Sequence, residues 1–261
     1  MTLEVLLSAM FLKDYRYIDT LNIKTDCVVI NQCDQEKHET FIDSGRNIRF
    51  ISTQERGLSK SRNMALKFST ADICLICDDD VEYVEGYSEI VKNTFLTNIH
   101  YDIIIFHVKK SKNDCPLYFQ QKELSFFSIL KARSVEIAFK RKSVNEISFN
   151  EMFGAGAQYS SGEENLFLFK CLQKGLKALY CPIQIASLRD GPSTWFTGFN
   201  AKYFHDKGAF FYELLPKFSF FLILRFALFK HHLYKKEISF FHALKTMLEG
   251  RAAYIKETKT G

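Results

Sequence analysis

Three consecutive aspartates end an apolar run in the segment ADICLICDDD, residues 71–80. Adjacent like charges repel, and desolvating any of them is costly unless something pairs with it. Two interpretations follow: a solvated turn at the end of a strand, or a site where a divalent cation neutralises the cluster. In an extended segment Asp78 and Asp80 point to one side and Asp79 to the other. This makes Asp78 and Asp80 the candidate metal ligands, with Asp79 bracing the loop.

The elements that must position these aspartates alternate along the first hundred residues. Short apolar runs predict strands over 3–9, 26–31, 47–52, 71–77 and 101–108, and periodic segments predict helices over 14–23, 57–70 and 86–98. This alternation is typical of a Rossmann-like, mainly parallel α/β sheet covered by helices on both faces. Ligands collect at the carboxyl ends of such strands, which is where the aspartates fall.

The middle of the chain is less regular. Residues 162–175, GEENLFLFKCLQKG, predict a helix with Glu163 and Glu164 in its first turn. The next segment, LKALYCP, predicts a strand that is stopped by Pro182.

The last part of the chain changes in character after about residue 205, where aromatic and aliphatic residues alternate with basic ones. Its most apolar stretch, 218–229, includes Arg225 and falls short of the roughly twenty residues that span a membrane. Two interpretations stay open. The segment forms helices packed on the core or in a homodimer, or it lies in a membrane surface with the basic cluster KHHLYKK on lipid phosphates.

Charge and cysteine usage narrow the class of protein. A net charge of +5 suits anionic ligands or an anionic membrane surface but is too weak to indicate nucleic acid. The seven cysteines show no disulfide-like framework and no paired zinc motif, so we expect buried thiols and a reducing, cytosolic compartment. The opening MTLEVLLSAM lacks a basic leader with a long apolar core, so we expect no signal peptide.

Three segments together resemble family 2 glycosyltransferases, nucleotide-sugar-dependent enzymes of the GT-A fold, in particular those of bacterial surface-polysaccharide synthesis. They are TQERGLSKSRNMALKFSTADICLICDDD, FNEMFGAGAQYSSGEENLFLFKCLQKG and LRDGPSTWFTGFNAKYF, in that order. The resemblance covers roughly residues 3–205. It implies a GT-A domain over 1–205, with a nucleotide-sugar half (1–108) and an acceptor half (109–205). Residues 206–261 would form a helical extension.

The resemblance implies a metal-dependent inverting transfer of a sugar from a nucleoside diphosphate, with UDP expected, to a glycan hydroxyl. Capsule, exopolysaccharide or O-antigen synthesis is the implied setting, on a lipid-linked acceptor at the inner face of the cell membrane. Homo-oligomerisation is left open. Mn²⁺ or Mg²⁺ would bridge the diphosphate oxygens, stabilising the charge of the leaving group.

Site residues carry over by position. Asp80 is expected on the metal, Asp78 on the metal, its water or the ribose, and Asp190 as an oxygen ligand where relatives have a histidine. The other nucleotide-sugar positions are Ser8, Asn31, Arg62 and Asp79.

The acceptor side requires a base that removes the proton of the attacking hydroxyl. The resemblance places it in the pair Glu163-Glu164, with Glu164 favoured by register and Glu163 the alternative. Acids that only complement the helix dipole are the competing interpretation. Trp195 is expected to form a platform for the acceptor sugar or to lie in the core.

Two segments depart from the family pattern: SAMF at the end of the first strand and NQCD after the second. They leave open a degenerate family member that binds glycan or partner subunits without turnover. A sugar nucleotidyltransferase also uses carboxylates and a metal on a related sheet, but the chain has no glycine-rich basic loop near its start for a triphosphate.

Overall fold

The computed structural model describes residues 1–111, 113–189 and 198–260. Its strands within these ranges are β1 Leu3–Met10, β2 Asp26–Gln32, β3 Lys37–Asp43, β4 Arg46–Thr53, β5 Ile73–Asp78, β6 Val81–Tyr83, β7 Ile103–Lys109, β8 Lys122–Glu123, β9 Ile137–Lys140 and β10 Ala178–Leu188. Its α-helices are α1 Tyr17–Thr20, α2 Leu58–Phe68, α3 Tyr87–Thr97, α4 Glu163–Gln173, α5 Ala201–Leu214, α6 Ser219–Tyr234 and α7 Phe240–Thr260.

One sheet forms the centre of the molecule, in the strand order β3-β4-β2-β1-β5-β9-β7-β10-β6, with β8 beside β10. The four strands β4, β2, β1 and β5 are parallel, whereas β9 runs antiparallel between β5 and β7. This confirms the predicted α/β fold, with a run of parallel strands formed by β4, β2, β1 and β5.

Side-chain alternation along β1 separates two cores. Val5 and Leu7 face the layer that contains Tyr87 and Val91 of α3. Leu6 faces the opposite layer, which contains residues of α2 and α4. Because every one of these β1 side chains is buried, the strand reads as a continuous apolar run, as strands covered on both faces do.

Several elements differ from the sequence-based expectations. The strand predicted to stop at Pro182 continues to Leu188, and the prediction was wrong because the pairing of β10 with β7 shifts register between Tyr180 and Gln184. An irregularity of this kind accommodates a residue without an N–H. The edge strand β3 and the short β6 and β9 were not predicted, and α1 is only four residues long.

The three C-terminal helices pack on one another and on the core. Phe210 of α5 lies in one apolar cluster with Phe153, Tyr159 and Leu166. Helices α5 and α7 cross at Gly208 and Gly250, where a Cβ on either glycine would overlap a backbone carbonyl of the other helix. Within the described ranges, none of the helices combines the length and the apolarity needed to cross a bilayer.

Candidate active site

The candidate site lies at the carboxyl edge of the parallel strands. Strand β5 ends at Asp78, which is paired in register with Ser8 on β1. On the other side of β1, Asn31 lies near the end of β2. Parallel pairing therefore brings the predicted nucleotide-sugar residues from three strands to one edge.

Arg62 of α2 connects the two predicted halves of the site. Its Nη2 donates to Asp78 Oδ1 at 3.0 Å, and its Nη1 donates to Glu163 Oε1 at 2.8 Å. The arginine is only 2% exposed, and its guanidinium lies 5.6 Å from the ring centroid of Phe149. Burial acts to lower the pKa of Arg62, but the adjacent Asp78 and Glu163 carboxylates outweigh it and raise that pKa. Asp78 and Glu163 are thus held by one buried cation.

A glycine-containing loop fixes Glu163 against α2. Gly154 has a φ of +111°, and a Cβ there would lie 3.3 Å from the carboxyl carbon of Glu163 and 3.2 Å from Ser59 Oγ. The Ser59 hydroxyl donates to the carbonyl of Phe153 at 2.6 Å. Only glycine suits this conformation and spacing, because any Cβ here would crowd Glu163 and Ser59.

Glu164 follows Glu163 in the first turn of α4 and, within the described residues, makes no ion pair with Arg62. Burial, together with the charge of Glu163, raises the pKa of the Glu164 carboxyl to about 8, against the opposing effects of Arg62 and Lys207. Lys207 belongs to α5, and its Nζ lies 4.7 Å from the ring centroid of Phe210. The same Phe210 ring packs against the N-terminus of α4, where a Cβ on Gly162 would lie only 2.6 Å from it.

Asp79 and Asp80 do not continue the strand. They form a turn between β5 and β6, so the alternation argument for Asp78 and Asp80 does not apply to them. The Asp79 carbonyl accepts from Tyr17 Oη at 2.9 Å, and the Asp80 carbonyl accepts from the Arg189 backbone N–H at 2.8 Å. Both carboxylates are exposed, which leaves them accessible to a ligand.

The electrostatics of this turn suit a cation. Partial desolvation, and then the charge of Asp78, raise the pKa of both the Asp79 and the Asp80 carboxyls. In the described part of the chain, neither carboxylate has an arginine or lysine partner. No group of three or more His, Cys, Asp or Glu side chains converges on one point within the described residues. The exposed, negatively charged turn could hold a cation through Asp80.

Ser8 and Asn31 have protein partners. Ser61 Oγ donates to Ser8 Oγ at 2.8 Å. The Asn31 amide accepts from Leu12 N at 2.8 Å and donates to Leu12 O at 3.1 Å. Asn31 thus orients the chain that leaves β1, at the place where the SAMF segment departs from the family pattern.

The remaining predicted residues, Asp190 and Trp195, lie outside the described residues. Sequence reasoning missed three other features: the double ion pair of Arg62, the Ser134 hydroxyl that donates to Asp78 Oδ2 at 3.4 Å, and the position of Lys207. Lys207 follows Glu164 by more than forty residues, and no local pattern signals that α5 returns to this edge.

Comparison with known proteins identifies relatives at the level of family and fold. The sequence model described as "Glycosyl transferase family 2" matches residues 20–158, which is more than half of the chain. Among curated proteins no sequence matches at a significant level.

Solved structures of S. aureus TarS match most or all of this chain. The structure of TarS 1-349 aligns with a TM-score of 0.62 at 14% identity, covering 100% of this chain and 90% of that one. TarS 1-349 in complex with UDP-GlcNAc gives a TM-score of 0.64 at 14% identity, with the same coverage. A further structure of S. aureus TarS gives a TM-score of 0.58 at 15% identity, covering 87% of this chain and 44% of that one. At these identities the likeness establishes the GT-A fold that the sequence predicted.

Proposed function

The chain belongs to glycosyl transferase family 2, and we propose that it transfers a sugar from a nucleoside diphosphate to a hydroxyl of a glycan with inversion. The observation that carries the proposal is the Arg62 bridge. It holds the strand-end aspartate and the first glutamate of α4 on one guanidinium, at 3.0 and 2.8 Å. This bridge supports a single site that contains both the proposed donor-side and the proposed acceptor-side carboxylates. UDP is the proposed nucleotide, in keeping with the UDP-GlcNAc bound by TarS.

The donor side must stabilise a departing diphosphate. Asp80, exposed at the turn after β5, would hold Mn²⁺ or Mg²⁺, and a bound ion would offset the charge of the leaving group. Asp78 has Arg62 as its countercharge, so its proposed role is to orient the site and to meet the ribose or a metal-bound water.

The acceptor side must remove one proton. Glu163 is 6% exposed and is engaged by Arg62, so its carboxylate is kept from a substrate hydroxyl. Glu164 is free of that ion pair, and we assign it the base. A carboxylate whose pKa is raised to about 8 is a stronger base than an ordinary glutamate, although less of it is ionised at neutral pH.

The proposed setting is synthesis of a bacterial surface polysaccharide, which rests on the resemblance of the three sequence segments to enzymes of that type. The acceptor would be a growing glycan, with Trp195 as a platform for its sugar. Asp190 would add an oxygen ligand to the metal.

The test is a panel of nucleotide sugars assayed for binding and slow hydrolysis, with and without Mn²⁺. Wild type is compared with Asp80→Ala and with Glu146→Ala, a control that removes an exposed carboxylate far from the strand end in sequence. We expect one donor to be hydrolysed only with metal, a loss of about 10²-fold or more in Asp80→Ala, and no change in Glu146→Ala.

Two outcomes would contradict parts of the proposal. Donor binding and hydrolysis that are indifferent to metal and to Asp80 would remove the metal role. Binding of a nucleotide sugar without hydrolysis or transfer to any glycan would favour the degenerate, non-catalytic relative.

A further inference from the structure

The outer side of α6 exposes an unusual number of large apolar side chains. Phe221 is 62% exposed and Phe229 is 65% exposed. With their neighbours they form a surface that we call the α6 face, made of Phe218, Phe220, Phe221, Arg225, Leu228, Phe229, His232 and Leu233. Soluble surfaces rarely carry so many exposed aromatic residues together, and such a patch marks a contact surface.

The side of α6 opposite the α6 face is buried, so the exposed aromatic side chains belong to the outer side of a helix that is packed on its inner side. Ile223 and Ala227 are fully buried against the neighbouring helices. Phe221, Arg225 and Phe229 follow one another at intervals of four residues on the opposite side of the helix. The Arg225 guanidinium lies 4.9 Å from the ring centroid of Phe229, so the charge sits among the apolar side chains.

The same segment carries the positive charge of the protein. The 35 lysines and arginines of the chain exceed its 30 acidic residues by five. Five of those basic residues, Lys217, Arg225, Lys230, Lys235 and Lys236, lie within residues 214–236, which contain no aspartate or glutamate. The rest of the chain is balanced in charge, and the excess is concentrated at α6.

We propose that the α6 face lies on a bilayer that contains anionic lipids. Its aromatic and aliphatic side chains would enter the boundary between headgroups and acyl chains, while the lysines and Arg225 meet lipid phosphates. A second copy of the chain is a poorer partner, because a two-fold contact would bring two segments of like charge together. The proposal concerns surface binding alone and holds whether or not the proposed transfer activity is correct.

The inner side of α6 lies close to the candidate site. The inner side of α6 carries Phe226, whose ring centroid lies 6.0 Å from Lys207 Nζ, and the charge of Lys207 acts on Glu164. Helix α5, which carries Lys207, therefore lies between α6 and the candidate base Glu164.

The experiment is co-sedimentation of the full chain with vesicles of phosphatidylcholine alone and of an equal mixture of phosphatidylcholine and phosphatidylglycerol. One variant combines Phe221→Ser with Phe229→Ser. Its control combines Phe119→Ser with Phe127→Ser, two phenylalanines that are 82% and 79% exposed elsewhere. A second variant reverses charge at Lys230, Lys235 and Lys236 to Glu, and its control makes the same change at the exposed Lys13, Lys67 and Lys174.

We expect wild type and both controls to bind the anionic vesicles and to leave the neutral ones largely unbound. Each α6 variant should lose about tenfold or more of its partitioning, with the charge reversal more sensitive to salt. Unchanged circular dichroism and thermal unfolding would show that the variants are folded. Absence of wild-type binding, or equal losses in variants and controls, would overturn the proposal. A wild-type dimer that becomes monomeric in the α6 variants, without vesicle binding, would overturn it in favour of a contact between copies.

Discussion

The carboxylates at the sheet edge fall into two groups that differ in what surrounds them. Asp78 and Glu163 share the buried Arg62 guanidinium and have fixed partners. Asp79, Asp80 and Glu164 lie outside that bridge, and the pKa of each is raised by desolvation and by neighbouring negative charge. Residue type alone therefore does not define the environment of a carboxylate here. Among the described residues the three carboxylates outside the bridge have no ion-pair partner, so they can respond to a cation or a proton.

Arg62, predicted at a nucleotide-sugar position, is buried in the described structure and is bound by two carboxylates of the protein. Its two Nη atoms are directed to Asp78 and Glu163, and its buried Nε atom has no hydrogen-bond partner among the described residues. An arginine that joins two elements in this way contributes to the relative position of donor and acceptor groups.

The largest effect is expected when the unpaired acceptor-side carboxylate is neutralised. Glu164→Gln keeps the shape of the side chain but removes its capacity to accept a proton. We expect kcat for sugar transfer to fall by about 10³- to 10⁴-fold, the upper part of the range for a general base. Metal-dependent donor binding should be retained, because the change lies on the acceptor side. The measurement is single-turnover transfer together with donor titration.

Glu163→Gln is the matched variant, since it changes the neighbouring residue in the same way. It should weaken the Arg62 bridge and lower the thermal stability more than Glu164→Gln does. A loss of transfer that is larger in Glu163→Gln than in Glu164→Gln, at equal fractions of folded protein, would reverse the assignment of the base.

The next largest effect is expected from breaking the bridge itself. Arg62→Met removes the cation and leaves the buried Glu163 and the partly buried Asp78 without their countercharge. We expect the free energy of unfolding to fall by about 3–5 kcal/mol, as for other buried ion pairs that lose one partner. Urea unfolding measures it. Arg56→Met is the control, because its partner Asp34 has a side chain that is 85% exposed and its ion pair should contribute little.

The elements on either side of the Arg62 bridge could be predicted from the sequence, but the bridge itself could not. The apolar run before Asp78 and the helical periodicity after Gly57 were sufficient to predict β5 and α2 and to place the aspartates at a strand end. No local pattern could show that Arg62 meets Glu163, because that contact joins residues 101 positions apart. The turn at Asp79 and Asp80 was one of the two interpretations of the charge cluster, and the extended alternation assumed for Asp78 and Asp80 was wrong because β5 ends at Asp78.

The pH dependence gives a smaller and more specific test of the comparison. The pKa of the Glu164 carboxyl is raised to about 8 in the folded chain, from an ordinary value of 4.5. Between these two pH values the folded chain keeps the proton and the unfolded chain releases it. Stability from this group is therefore present below pH 4.5 and is lost as the pH rises through about 8. Activity should move in the opposite direction, rising about tenfold per pH unit below the pKa as the base ionises.

Thermal unfolding and kcat/KM measured from pH 5 to 9 on wild type and Glu164→Gln would separate these effects. The groups that act on the Glu164 carboxylate are Glu163, Arg62 and Lys207. The variant should lose this component of the stability change. A pH-rate profile that is flat over this range in the wild type would contradict the assignment.

The smallest effect is expected within the turn that carries the unpaired aspartates. The backbone carbonyl of Asp79 accepts a hydrogen bond from Tyr17 Oη, and its carboxylate is exposed. Asp79→Asn leaves that hydrogen bond in place. If Asp80 is the metal ligand and Asp79 braces the loop, Asp79→Asn should change the KM for the donor by less than about threefold, since a single exposed charge contributes little. Donor kinetics at saturating Mn²⁺ measure it. A loss as large as that of Asp80→Ala would place both carboxylates on the metal, and the turn would then act as a two-residue ligand.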